Sequence, residues 1–403
     1  MRMNDGVAER VGLSSARLKH VDSWMKGWVD SGRLAGASVL VSRRGQIAYE
    51  NVYGLADLER GTAMSPDTIV RIYSMTKPLA STALMMLYEE GRFQLDDPIH
   101  AVLPYFRTMH VYAGEGRDPV PAVRAITYRD LLTHTSGLTY GFMNATPVDA
   151  MYRDQGVDFQ VSDASLGEVV EKAAGLPLLA QPGAAWNYSI ATDVVGHLVA
   201  ELSGKPFATF LQERVLDPLG MQDTAFSVAE GKRARFAANY MKGEDGRAKL
   251  LDDPATSKFI QPRKIASGGG GLTGTARDYM RFCHMMLNKG TLDGERLLGR
   301  KTVELMTMNH LGGDMASMGT ARFSESNYNG IGFGLGFSVM LDPAAAHIVG
   351  TPGEFAWGGA ASTAFWIDPK EELAVVFLTQ LTPSSTYPVR RELRVLTYSA
   401  IID

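Results

Sequence analysis

The sequence predicts an α+β protein in which one antiparallel sheet, built from both ends of the chain, is flanked by helices. Strand-like runs occur before residue 60 and again after residue 330. Between them, residues 75–290 are rich in helical patterns and broken by Pro/Gly loops such as Gln181–Ser189. The composition of the 403 residues, 45% hydrophobic and 21% charged, is that of a globular enzyme or binding protein with an ample core.

Composition also argues against several classes of partner. The formal charge of −4 gives no reason to expect nucleic acid or an anionic membrane surface. The N-terminal residues contain no apolar signal segment, and no apolar run reaches the roughly 18 residues that a membrane-spanning helix needs. The single cysteine, Cys283, lies in an apolar helical pattern and cannot form an internal disulfide. We therefore expect a cytoplasmic protein.

The first elements are an amphipathic helix and a hairpin. Apolar residues at Leu18, Val21, Met25 and Val29 predict a helix over residues 15–31, capped by Ser14 or Ser15. The stretch "GASVLVSRRGQIAYENVYG" then predicts two antiparallel strands that meet at a turn near Arg44-Gly45.

The last elements are again strands. We expect strands in "GFGLGFSVML", "AHIVG", "ASTAFWID" and "LAVVFLT", with the turn between the final two at Asp368-Pro369-Lys370. A last helix is expected from about Pro388. Strands at both ends of the chain, with helices between them, favour a single sheet closed by the N- and C-terminal segments.

A lysine stands where a purely structural helix would not place one. Pro78 is tolerated only in the first turn of a helix, so the helix begins close to residues 74–77. Lys77 therefore faces the positive end of the helix dipole, which disfavours its charged form. Ser74 lies three residues earlier on the same face, where a lysine acting as a base can activate its hydroxyl. The spacing alone is weak, because Ser23 and Lys26 repeat it inside the first predicted helix, where Lys26 is most simply solvated.

Five segments, in order along residues 15–400, carry a family resemblance: "YSMTK", "LLTHTSGL", "QPGAAWNYS", "SGGGGLTGTARDY" and "EFAWGGAASTAFWIDP". Together they resemble the serine β-lactamase and penicillin-binding-protein superfamily, and within it most closely the class C-related family VIII carboxylesterases. The resemblance implies an α/β domain formed by residues 1–95 and 265–403, with a helical domain at 96–264. It places the active site between the two.

The resemblance assigns a role to each matched residue. It implies that Ser74 is the nucleophile, that Lys77 is its base and that Tyr188 is the tyrosine that relays protons. Superfamily members commonly have Tyr-x-Asn at the tyrosine, whereas Ile190 stands here in place of the asparagine. That change removes an amide donor suited to a β-lactam or peptide.

The third matched motif departs further from the lactamase pattern. Trp357-Gly358-Gly359 stands where lactamases and peptidases have Lys-Thr-Gly on an edge strand, a form similar to that of the esterases. Trp357 supplies an apolar wall in place of a charge, and the glycines allow close backbone approach to substrate. The oxyanion hole would be the N–H groups of Ser74 and Ala360. An arginine from elsewhere, such as Arg322, is a candidate to supply the missing charge.

Other patterns indicate no further chemistry. The glycine-rich "GGGGLTGTARDY" lacks the context of a phosphate loop, and no Gly-x-Ser-x-Gly elbow is present. The eight histidines are scattered, so we expect no metal and no cofactor. We expect His134 to be a structural hydrogen-bonding residue, because Lys77 already supplies the base.

Three functions remain open on these grounds. The first is a carboxylesterase that cleaves small or short-acyl esters through an acyl-Ser74 intermediate, or an acyltransferase that differs only in the acceptor. The second is a β-lactamase or D-Ala-D-Ala peptidase, disfavoured by the missing Lys-Thr-Gly and asparagine. The third is a non-catalytic binding module, disfavoured because Ser74, Lys77 and Tyr188 are all present.

Overall fold

An eight-stranded antiparallel sheet forms the centre of the computed structural model, which describes residues 5–159, 164–321 and 324–403. The strands are β1 Gly36–Arg43, β2 Gln46–Asp57, β3 Thr62–Ala63, β4 Ile331–Phe333, β5 Ser338–Met340, β6 Phe355–Gly358, β7 Ala364–Asp368 and β8 Leu373–Thr379. Their order across the sheet is β4-β5-β6-β7-β8-β1-β2-β3. The two ends of the chain meet at the β8–β1 pair, where Ala37 lies opposite Thr379. The α+β class predicted from the sequence is confirmed.

The central strands are buried on both faces because each face is covered by helices. Successive side chains of a strand point to opposite sides. Accordingly Val39 and Val41 of β1 join the core on one side of the sheet, and Leu40 joins the core on the other. In β8, Phe377 lies in the same core as Val39 and Val41, and Val376 lies in the same core as Leu40. This double burial explains why both strands are almost continuously apolar in sequence.

Thirteen α-helices lie within the described residues. They are α1 Asp5–Arg10, α2 Ser15–Asp30, α3 Thr76–Glu89, α4 Tyr128–Leu132, α5 Pro147–Asp154, α6 Leu166–Ala174, α7 Ala191–Ser203, α8 Phe207–Leu211, α9 Ala276–Leu287, α10 Arg300–Met306, α11 Met315–Met318, α12 Pro343–Ala346 and α13 Val389–Tyr398. Helices α2 and α13 cover one face of the sheet, and α9 packs on the other against β1 and β8. Helix α3 is buried along most of its length and packs on α7. None of the helices in these ranges is long and apolar enough to cross a membrane.

Smaller sheets and turns connect these layers. A three-stranded sheet joins Leu381–Thr382, Asn239–Lys242 and Ala248–Asp252. Three two-stranded ladders pair Val70–Arg71 with Thr273–Gly274, His110–Val111 with Val120–Pro121, and Thr291–Leu292 with Glu295–Arg296. The first of these ladders precedes the turn that carries Ser74.

Most of the predicted local elements are confirmed. Helix α2 begins after Ser14, whose side chain accepts a hydrogen bond from the backbone N–H of Arg17. The β1–β2 turn is Arg44-Gly45, and both residues have positive φ (51° and 72°), as a tight hairpin turn requires. The turn between β7 and β8 begins at Asp368, and α13 starts directly after Pro388.

One strand prediction is wrong. The segment "AHIVG" is the end of the short helix α12 and the loop after it. Asp342 caps this helix by accepting from the N–H groups of Ala344 and Ala345, and His347 ends it in the left-handed conformation (φ 53°). The capped helix therefore takes up Ala346, and the turn at His347 places the apolar residues Ile348 and Val349 in a loop instead of a strand. The strand that follows this loop is β6, which contains Trp357 and Gly358.

Candidate active site

Ser74 lies in a short 3-10 turn, Tyr73–Met75, that leads directly into α3. Tyr73 has a φ of +43°, an unusual conformation for a bulky residue, and it brings the chain round sharply before the serine. Arg71 anchors the strand before this turn. Its buried guanidinium donates to Asp252 Oδ2 (2.7 Å) and to the Ala237 carbonyl (2.6 Å). The turn is therefore held from behind while Ser74 remains partly exposed.

Lys77 is buried beside Ser74, and its hydrogen-bond partners within the described residues are all uncharged. Its Nζ lies 3.4 Å from Ser74 Oγ, 3.1 Å from the Tyr140 hydroxyl and 2.7 Å from the Gly269 carbonyl oxygen. Burial lowers the pKa of Lys77 to about 7, although the negative charge of Asp193 works in the opposite direction. Burial therefore favours the neutral form of Lys77, which is the form that can accept a proton.

Tyr188 completes the contact set around the serine. Its hydroxyl donates to Ser74 Oγ at 2.6 Å, and Lys77 Nζ lies 4.4 Å from the centre of its ring. Burial raises the pKa of Tyr188, so the phenol holds its proton in the resting site. The structure thus brings together the three residues that the sequence predicted as nucleophile, base and relay.

Two residues near Lys77, Tyr140 and Asp193, were not predicted from the sequence. Asp193 is 1% exposed and lies in the first turn of α7. Asp193 Oδ1 accepts from Ser267 Oγ (2.6 Å) and from the Gly269 N–H (3.0 Å). Burial raises the pKa of Asp193. A signal was present in the sequence, because Asp193 is an acidic residue in an otherwise apolar helical stretch five residues after Tyr188.

The glycine-rich stretch serves this cluster. A Cβ on Gly269 would lie 2.4 Å from Asp193 Oδ2 and 2.8 Å from the Tyr140 hydroxyl. Glycine therefore lets the backbone pass close enough for its carbonyl to reach Lys77. The stretch therefore shapes the surroundings of the lysine.

His134 is a buried neighbour of Tyr188. Its Nδ1 lies 3.2 Å from Ser189 Oγ, and its ring packs 5.0 Å from the Tyr188 ring and 5.5 Å from Phe333. Burial, together with the charge of Lys77, holds the pKa of His134 well below its ordinary value. These contacts agree with the prediction of a structural hydrogen-bonding residue.

The Trp357-Gly358-Gly359 segment forms the wall opposite Tyr188. The Trp357 ring lies 5.6 Å from the Tyr188 ring. A Cβ on Gly359 would lie 2.4 Å from the carbonyl oxygen of Ile72, two residues before the nucleophile. Glycine is therefore what allows the end of β6 to approach the Ser74 turn. Neither the Ser74 N–H nor the Ala360 N–H donates to an acceptor in the described chain.

Ser74, Tyr188 and the Trp357-Gly358-Gly359 segment line one cavity of about 720 Å³. Part of its wall is apolar and aromatic, and the lining also includes four arginines: Arg153, Arg390, Arg391 and Arg394. Each arginine donates to a protein group, such as the Gly141 carbonyl for Arg153 and the Glu354 carboxylate for Arg394. Arg322, the sequence candidate for a compensating charge, lies outside the described residues. Within them, no three His, Cys, Asp or Glu side chains come together as a metal site needs.

Comparison with known proteins gives matches along nearly the whole chain. A family model described as Beta-lactamase matches residues 21–399. A protein of Mycobacterium tuberculosis described as uncharacterized is 39% identical over 361 residues, 88% of each chain. Esterase EstB of Burkholderia gladioli is 33% identical over 367 residues, 86% of each chain. Among solved structures, EstCE1, described as a hydrolase with promiscuous acyltransferase activity, is similar with a TM-score of 0.80 and 27% identity, covering 95% of this chain and 99% of that one.

Proposed function

Since the chain belongs to the beta-lactamase family and is a serine ester hydrolase on that scaffold, we propose that it cleaves small or short-acyl esters through an acyl intermediate on Ser74. The observation that carries the proposal is the pair of contacts at Ser74 Oγ. The Tyr188 hydroxyl lies 2.6 Å away, and a lysine whose pKa is lowered to about 7 lies 3.4 Å away.

In the acylation step, Ser74 Oγ attacks the ester carbonyl carbon and its proton passes to Lys77 Nζ, directly or through the Tyr188 hydroxyl. The negative charge that develops on the carbonyl oxygen is stabilised by the N–H groups of Ser74 and Ala360. The C–O bond to the alcohol then breaks, and the alcohol leaves with a proton from the same relay. Water attacks the acyl-Ser74 ester, gives its proton to the relay, and releases the acid.

Substrate class follows from Trp357, Gly358 and Gly359, which we propose as substrate-binding residues. Trp357 offers an apolar surface where a lactamase would have a lysine for a carboxylate. We therefore propose neutral esters as the preferred substrates and a β-lactam or D-Ala-D-Ala peptide as poor ones. Acyl transfer is a second candidate, favoured by the description of EstCE1 as a hydrolase with promiscuous acyltransferase activity.

The test combines turnover with trapping of the intermediate. We expect p-nitrophenyl esters of increasing chain length to be hydrolysed, with short chains preferred, and nitrocefin to be cleaved far more slowly. Acid quenching during turnover, followed by peptide mass spectrometry, should find the acyl group on Ser74. An acyl group on another residue, or nitrocefin turnover above that of every ester, would refute the proposal. Adding a short-chain alcohol and following the new ester measures the share of acyl transfer.

Two expectations from the sequence stay predictions. One is the division into an α/β domain of residues 1–95 and 265–403 and a helical domain of residues 96–264, with the site between them. The other is the cytoplasmic location, with a small-molecule ester as the partner. Fractionation of the source cells, followed by immunodetection of the protein, tests the location.

A further inference from the structure

Arg390, in the first turn of α13, reaches the turn that follows β6. Its Nη2 donates to the carbonyl oxygens of Gly359 and Thr363, at 2.8 Å each. The same Thr363 carbonyl accepts from the Gly359 N–H at 2.9 Å, so the guanidinium closes a short loop from residue 359 to residue 363. This loop contains Ala360, whose N–H is half of the proposed oxyanion hole.

The contact between Arg390 and the Gly359 carbonyl matters because of the peptide group to which this carbonyl belongs. The Gly359 carbonyl and the Ala360 N–H belong to one peptide group. That peptide is trans, since the one cis peptide in the described chain is Thr382-Pro383, and in a trans peptide the C=O and N–H point in opposite directions. A cation that holds the Gly359 carbonyl therefore fixes the direction of the Ala360 N–H. It also polarises the peptide, which strengthens the N–H as a donor.

The surrounding residues hold Arg390 in this position. Glu325 accepts from the backbone N–H of Arg390 (3.2 Å) and of Arg391 (3.1 Å), and its carboxylate lies 4.0 Å from Arg390 Nε. A Cβ on Gly358 would lie 2.7 Å from Arg390 Cζ and 2.8 Å from the Thr363 carbonyl oxygen, so glycine leaves room for the guanidinium to meet this carbonyl. The two glycines of the segment thus have separate reasons: Gly358 admits Arg390, and Gly359 admits the Ile72 carbonyl.

We propose that Arg390 is a positioning residue that holds and polarises the Gly359–Ala360 peptide, so that the Ala360 N–H is aimed at the developing oxyanion. The proposal rests on the proposed function, since it takes Ala360 as an oxyanion donor. It does not make Arg390 a partner for the substrate. Its effect should therefore be the same for neutral and for negatively charged esters.

The experiment compares Arg390→Ala, Arg390→Lys and wild type on p-nitrophenyl butyrate and on mono-p-nitrophenyl succinate, which carries a carboxylate. We expect Arg390→Ala to lower kcat about 10²-fold on both esters with KM nearly unchanged, the scale of losing one oxyanion donor. Affinity for butylboronic acid, whose adduct with a serine is tetrahedral, should fall with kcat. Arg390→Lys should retain an intermediate kcat, because an ammonium can still donate to one carbonyl. Millimolar guanidinium chloride should partly restore kcat to Arg390→Ala.

The matched control is Arg43→Ala. Arg43 is also buried and donates to backbone carbonyls, those of Val11 (3.1 Å), Gly12 (2.8 Å) and Glu371 (3.0 Å), and it does not line the cavity. Arg43→Ala should lower Tm and leave kcat unchanged. If Arg390→Ala does not fold, Arg390→Lys alone carries the test.

Three results would overturn the proposal: an unchanged kcat, a loss confined to the succinate ester, or a loss in KM alone. The last two would make Arg390 a substrate-binding group. An inactive wild type or an active Ser74→Ala would instead refute the proposed function, so the two failures can be told apart.

Discussion

The chain contains the same four-residue pattern twice, and the two copies differ in almost everything except spacing. Ser23 and Lys26 lie on the outer side of α2, where the Lys26 side chain is 61% exposed and pairs with Asp30 at 2.5 Å. Ser74 and Lys77 lie at the buried start of α3, where Lys77 is 2% exposed. The pKa of Lys26 is raised, chiefly by its hydrogen bond to Asp30, whereas burial lowers the pKa of Lys77 to about 7.

Even a neighbouring tyrosine is common to both copies. Lys26 Nζ lies 3.0 Å from the Tyr53 hydroxyl, and Lys77 Nζ lies over the ring of Tyr188. What separates them is that Tyr188 also donates to Ser74 Oγ, and that no carboxylate in the described part of the chain is a hydrogen-bond partner of Lys77. A serine, a lysine and a tyrosine become catalytic through desolvation and mutual contact, and spacing alone does not supply either. Substitutions at Ser23 and Lys26 can therefore serve as controls for the same substitutions at Ser74 and Lys77.

The largest expected effect is at the serines. Ser74→Ala should lower ester turnover about 10⁴-fold or more, because it removes the nucleophile. Ser23→Ala should leave turnover unchanged. The measurement is kcat/KM on p-nitrophenyl butyrate, with labelling by a fluorophosphonate probe as a second readout. If a folded Ser74→Ala protein keeps substantial activity, Ser74 is not the nucleophile.

The next effect is at the lysines. Lys77→Arg keeps a positive charge but cannot lose its proton at working pH, so we expect a loss of about 10³-fold, close to that of Lys77→Met. Lys26→Arg should be neutral. Thermal unfolding of each variant separates loss of the base from loss of the fold. If Lys77→Arg retains much of the activity, the lysine acts only through its charge.

The tyrosines should give a smaller difference. Tyr188→Phe deletes one hydroxyl from the proton relay and should lower kcat about 10²-fold with little change in Tm. Tyr53→Phe, the corresponding change beside Lys26, should have no effect on kcat. Equal effects of the two substitutions on kcat would argue against a role for Tyr188 in proton transfer.

The smallest effect should be on selectivity. Trp357→Lys replaces the apolar wall by the charge that a lactamase has at this position. We expect esterase kcat/KM to fall about tenfold, which narrows the gap between neutral esters and nitrocefin. An unchanged ratio of the two activities would show that Trp357 does not set substrate class.

The sequence predicted the parts of the molecule that are encoded locally. Helix α2, the β1–β2 hairpin and α13 each have their own cap, turn or periodicity, and Ser74 and Lys77 are neighbours on one helix. The hydrogen-bond partners of Lys77 other than Ser74 come from far along the chain: Tyr140 is 63 residues away and Gly269 is 192 residues away. The Arg390 contact with the Gly359 carbonyl likewise depends on how α13 packs against the sheet. Contacts between residues this far apart in sequence leave no local periodic signal, so they can be identified only from the three-dimensional structure.

Burial, and not spacing, makes Lys77 the base and leaves Lys26 an ordinary cation. The direct measurement is an NMR titration of the protein with ¹³Cε-labelled lysine, with the two resonances assigned from Lys77→Arg and Lys26→Arg. The account predicts that Lys77 titrates near pH 7, that Lys26 titrates above the ordinary lysine range, and that Asp193→Asn moves the Lys77 titration to lower pH by removing a nearby negative charge. A Lys77 resonance that titrates in the ordinary lysine range, at about 10.4, would contradict it.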